Sequence, residues 1–208
     1  MSRSWSAALG AAACAAILVA PAGAWAQDDP VKWSSVAAQG AFDLCRADAP
    51  DAAKVADHGE VWGWPTFVPY LEHPLGFKRE AGGESRRSFT FGQVTAYIEV
   101  TVQSGQVTSA APAQVRYFRC NVAANQQMNA SLEAYFTAQY GPPASRSAQT
   151  VVWLAGPAAT SADAAGGDDG ALKPVIAGPT GAAITRIELS RERGLDRAKL
   201  SFFEKVGG

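Results

Sequence analysis

The sequence predicts an α+β fold: a mostly antiparallel sheet of about five strands with helices on one face, in the order α-α-β-β-α-β-β-β. Three observations carry that expectation. Apolar residues recur at helical spacing over residues 33–46 and again over 128–139. They alternate with the two-residue period of a strand over 94–102 and in two runs near the C-terminus, 183–191 and 196–205. Ser104-Gly105 and Arg193-Gly194 fall between such runs, where hairpin turns are expected, and hairpins build antiparallel sheets.

The first 26 residues read as a signal peptide rather than as part of the fold. Arg3 precedes an uncharged apolar run, Ala7–Ala20. Pro21 interrupts it, and Ala24-Trp25-Ala26 has the small–x–small pattern of a cleavage site before Gln27. The run falls short of the roughly 20 apolar residues that cross a bilayer. A lipidation box at Ala11-Ala12-Ala13-Cys14 fits less well, because few apolar residues precede the cysteine. Residues 27–208 are then one domain with no stable membrane anchor after cleavage.

Within that domain Trp33, Val36, Ala37, Ala41, Leu44 and Cys45 mark an amphipathic first helix. Asp48 is the expected N-cap of a second, shorter helix that Gly59 stops. Residues 60–85 mix aromatics with glycine and proline and read as irregular. Phe89 and Phe91 alternate in one phase and Val94 to Val102 in the other, a shift read as a β-bulge or a tight corner at Gly92-Gln93. A return strand over 115–122 carries Cys120. A third helix ends at Gly141-Pro142-Pro143, and a short strand spans 149–154. Residues 155–182, rich in Ala, Gly, Pro and Asp, read as a long low-complexity loop. A hairpin at Arg193-Gly194 closes the chain.

The chain holds three cysteines. Cys14 leaves with the signal peptide, and Cys45 and Cys120 remain as an even pair in an oxidising compartment, which predicts a disulfide. Acidic residues (19) slightly outnumber basic ones (18, Arg3 included). That balance offers no footprint for nucleic acid or an anionic membrane.

Candidate chemistry is sparse. The two histidines, His58 and His73, have no ligand-spaced neighbours, so no metal or other cofactor is expected. No serine sits in a nucleophile elbow. Gly166-Gly167-Asp168-Asp169-Gly170 has the look of one calcium-binding glycine–aspartate repeat, but a single copy reads better as flexible loop. Arg79, Arg86, Arg87, Arg116 and Arg119 flank the first hairpin, either as anion forks or as solvated strand charges. Trp62-Gly63-Trp64 is the sharpest feature: an extended backbone would place both rings on one face, beside Tyr70 and Phe77, as a platform for an apolar or sugar ligand. Packing of the two rings under the segment as a satellite core is the favoured reading.

The Phe42-x-Leu44-Cys45 helix, the alanine-rich helix after it, the following Gly-Trp and the second cysteine resemble small uncharacterised exported proteins of proteobacteria. The resemblance implies a periplasmic location and a disulfide-bonded α+β domain, and transfers no activity. The functional expectation is a non-enzymatic periplasmic domain that binds a small ligand or an envelope protein. A secreted hydrolase with a site assembled only in three dimensions is the rival reading.

Overall fold

Asp29 opens the first helix, α1 (Pro30–Asp48), by accepting the amides of Val31 and Lys32, with Pro30 supplying a preset first turn. The computed structural model describes residues 29–68, 77–107, 113–156 and 166–208; the leader, Tyr70 and His73 lie outside them. One stripe of α1 is buried (Trp33, Ala38, Ala41, Phe42, Leu44, Cys45), and Val36 faces outward. Helix α2 (Ala52–Val61) starts one aspartate later than expected. Asp51, just past Pro50, accepts the amides of Ala53 and Lys54, whereas Asp48 closes α1 and holds His58 Nδ1 at 2.8 Å. Gly59 does not stop α2. It is buried inside the helix because a Cβ there would come within 2.6 Å of the Phe67 ring.

Among the described residues the sheet has seven strands where the alternation pattern predicts about five. They are β1 (Phe77–Phe91), β2 (Val94–Val107), β3 (Gln114–Ala124), β4 (Ser145–Arg146), β5 (Thr150–Ala155), β6 (Ala183–Glu192) and β7 (Leu195–Gly207). All neighbours are antiparallel in the order β1-β2-β3-β7-β6-β5-β4. Two meanders, β1–β3 and β4–β7, are therefore joined through the β3–β7 pair, with α3 (Asn129–Tyr140) crossing between them.

Two turn assignments change. Gly92-Gln93 is a two-residue hairpin turn, not a bulge: Phe91 pairs with Val94, and Gly92 takes φ +60°, a left-handed value that glycine adopts freely. The phase flip seen in the sequence is the reversal of the chain. Ser104-Gly105 lies within β2, where Ser104 pairs with both Ala81 and Phe118 and its hydroxyl accepts the Ala52 amide at 3.3 Å. The closing hairpin stands as expected, with Arg193 (φ 52°) and Gly194 (φ 80°) at its turn.

Residues 167–177, part of the stretch read as loop, form a fourth helix, α4 (Gly167–Ala177). Its first turn carries Asp168 and Asp169, which suit the positive helix end. Lys205 Nζ donates to the Ile176 and Gly178 carbonyls at its far end. Composition hid the helix because Ala171, Leu172, Val175 and Ile176 are only four apolar residues among small ones.

The helices consequently occupy both faces, not one. On the first face α1, α2 and α3 cover a core of Phe42, Ile98, Val100, Phe118, Phe136 and Trp153, with Phe42 and Phe136 edge to face at 5.1 Å. Cys45 and Cys120 are bonded within it, pinning the end of α1 to the middle of β3. On the second face Ala171 and Val175 of α4 pack on Val115, Tyr117, Ile184 and Phe203. The fold is α+β and disulfide-bonded. Among the described residues no helix is long and apolar enough to cross a membrane.

Candidate functional site

The tryptophan pair does not form a shared platform. Gly63 adopts φ +79°, so the backbone turns where an extended strand would align the rings. Trp62 caps α2 and is 52 % exposed; Trp64 is 5 % exposed and lies in the first core, with the Arg87 guanidinium 5.3 Å from its ring centre. Phe77 opens β1, and Tyr70 lies outside the described residues. His58 stands on an exposed flank with Asp48. The basic set disperses: Arg86 meets Glu99, Arg116 meets Glu204, and Arg119 alone enters a larger cluster.

That cluster is on the second face of the sheet, and strand register builds it. Side chains that share this face line up in cross-strand rows. Tyr117, Phe203 and Ile184 form an apolar row beneath α4. One step along, Arg119, Ser201 and Arg186 are opposite one another; the next step brings Asn121, Lys199 and Glu188 together, and the next Ala123, Arg197 and Ser190. The face thus passes from apolar to charged to polar as it leaves the helix.

Helix α4 ends its cover at the charged row. Its Asp168 carboxylate forms ion pairs with Arg119, with Lys199 (3.3 Å) and with Arg186 (3.6 Å), and Arg186 also binds Glu188. Three cations and two carboxylates are therefore held together, with the Arg186 side chain only 4 % exposed. Burial pushes the Asp168 carboxyl upward, but Lys199, Arg119 and Arg186 together outweigh it and hold it below the ordinary carboxylate value. Nε and Nη1 of Arg186 and Oγ of Ser201 are buried with no hydrogen-bond partner among the described residues. Ion pairs of this kind fix geometry more than they add stability, since desolvation offsets the attraction.

Beyond the cluster the same face opens into a trough of about 200 Å³, lined by Asn121, Glu188, Ser190, Glu192, Arg197 and Lys199. Lys199 and Glu188 belong to both, so the ion cluster forms one wall of the trough. The arrangement offers anchored charges of both signs with an amide and a hydroxyl between them. A hollow of about 440 Å³ between α3 and the β4–β5 turn is larger, but its charged residues pair apart from the buried cluster, Arg146 with Glu133 and Arg191 with Asp196. No group of His, Cys, Asp and Glu among the described residues is arranged to hold a metal ion.

Of the cluster residues, the sequence singled out only Arg119, in the basic set, and Asp168, in the glycine–aspartate stretch read as flexible loop. The available signal was period-two charge on strands that are apolar in the other phase: Arg186 and Glu188 in β6, Arg197 and Lys199 in β7. Neither a protein family, nor a curated protein, nor a solved structure matches this chain.

Proposed function

We propose that this chain is an exported periplasmic binding domain that takes a small charged ligand in the trough beside α4. The leader pattern of residues 1–26 and the Cys45–Cys120 bond support the location, since disulfides persist in oxidising compartments. The observation that carries the binding reading is the wall of the trough. Lys199 and Glu188 face it at fixed ladder positions, each tied to the buried cluster, and Arg197 and Glu192, an exposed ion pair at 3.7 Å, add a second couple of opposite charges that a ligand would part. Such a surface is pre-organised for a molecule carrying both a carboxylate or phosphate and an amine. At about 200 Å³ the trough is smaller than the roughly 300–1,000 Å³ of sites for drug-sized ligands, which points to one metabolite-sized zwitterion.

The test is a thermal-shift and calorimetric panel of amino acids, short peptides, neutral sugars and dicarboxylates against the disulfide-bonded protein. Zwitterions are expected to stabilise the wild type, and Arg197→Gln to weaken that effect about tenfold or more. Binding of neutral sugars alone, or zwitterion binding that Arg197→Gln leaves untouched, would reject the trough as the site.

A further inference from the structure

Among the described residues the outer edge of β1 is open over the stretch that leads to its hairpin turn. Glu84 exchanges both main-chain hydrogen bonds with Val68, at 2.8 and 2.7 Å, so its amide and carbonyl point away from β2. The two-residue repeat of a strand then turns the amides and carbonyls of Arg86, Ser88 and Thr90 outward too. Those three have no main-chain partner on that side among the described residues.

Exposed edges are ordinarily guarded by charged side chains, prolines or bulges. Here the two arginines at the spot are folded back onto their own domain. Arg86 hydrogen-bonds Glu99, its cross-strand neighbour, with its guanidinium 5.1 Å from the Tyr97 ring centre. Arg87 stacks over Trp64. Ser88, Phe89 and Thr90 are left exposed on both sides of the strand, with Phe89 43 % exposed and its ring 4.7 Å from that of Trp33.

We propose that this edge pairs antiparallel with the same edge of a second copy, about a two-fold axis through Ser88, so that one sheet continues across two domains. Charge selects both the occupant and the register. Centred on Ser88, the pairing sets Arg87 opposite Phe89, Arg86 opposite Thr90 and Ser88 opposite itself, so no like charges meet. Centring on Arg86 or on Arg87 would oppose arginine to arginine. Centring on Phe89 would oppose Arg86 to Gly92, which has left the strand at φ +60°. The Ser88 register joins three outward-facing residues from each copy, about six hydrogen bonds in all. Val68 blocks further pairing beyond Glu84, so the contact is short and the dimer weak.

Sedimentation velocity of the purified disulfide-bonded protein, from micromolar to about 1 mM, tests the proposal. A concentration-dependent monomer–dimer equilibrium is expected. Ser88→Pro removes an outward amide and no β1–β2 ladder bond, so it should weaken the dimer about tenfold or more with unchanged melting temperature. Phe89→Lys, which sets two cations face to face, should do the same if the proline variant folds poorly. On oxidation Ser88→Cys should cross-link two copies faster than Thr90→Cys, because only residue 88 meets itself. A chain monomeric to about 1 mM overturns the pairing and leaves the edge for a strand of another protein. Dimerisation unaffected by both substitutions, or equal cross-linking at 88 and 90, overturns it as well.

Discussion

Changing Asp168 to Asn keeps the size of the side chain and removes one negative charge from the point where Arg119, Arg186 and Lys199 converge. Breaking a buried ion pair from one side costs about 3–5 kcal/mol, because the partner charge stays buried without compensation. Here Glu188 still answers Arg186, and Lys199 is 27 % exposed, so the lower end of that range, about 3 kcal/mol, is expected. The loss should be local as well as global. Asp168 is in the first turn of α4, while Ala171 and Val175 keep their apolar contacts with the sheet. Urea unfolding at pH 7 measures the total, and hydrogen exchange should show α4 opening more readily than β3 or β7. The pH dependence follows from a folded-state carboxyl held below its unfolded value. Its stabilisation is present above about pH 4 and is lost as pH falls through the folded-state value, so the gap between wild type and variant should narrow in acid. A variant within about 1 kcal/mol of wild type at pH 7, or a gap still full at about pH 2, would refute the reasoning.

The disulfide closes a 75-residue separation, worth about 4.5 kcal/mol in the chain-entropy model, so replacing Cys45 and Cys120 together by Ala should lower Tm by about 10 °C or more in thermal denaturation followed by circular dichroism. Trp64→Ala should cost about 3–5 kcal/mol through the cavity it leaves, and Trp62→Ala within about 0.5 kcal/mol, both read from denaturant midpoints. Asp196, 3 % exposed, accepts the amides of Met128 and Asn129 at 2.7 and 2.9 Å and so caps α3 from β7. Asp196→Ala should cost about 2 kcal/mol in urea unfolding, with exchange rising at the start of α3.

Much of the first face could be read from sequence because a single periodicity governs each element there. Trp33, Ala41, Leu44 and Cys45 had to share a helical stripe (Val36, read with them, faces outward), Ile98, Val100 and Val102 a strand face, and two cysteines in one domain had one way to pair. The long β1 was legible only near its end, since Gly82, Gly83, Glu84 and Arg86 show no apolar alternation; what holds that stretch is its ladder with β2. The second face escaped for a related reason. Arg119, Arg186 and Lys199 look like solvated strand charges until α4 is laid over them, and α4 rests on a few apolar residues inside a stretch of small ones. The tryptophan pair shows the converse: its spacing was plain, but the sign of one glycine φ decided where the rings point.

β7 is both the last strand in the chain and the one in the middle of the sheet. Until residues 195–207 arrive, β1–β3 and β4–β6 are separate pieces, each with a bare inner edge, and partners such as Cys120 and Leu200 cannot meet. Pairing elements about 80 residues apart is slow compared with hairpin closure. The two half-sheets therefore stay unjoined until β7 has paired with both β3 and β6. A copy clipped before Leu200 would leave both half-sheets unjoined and open to proteolysis.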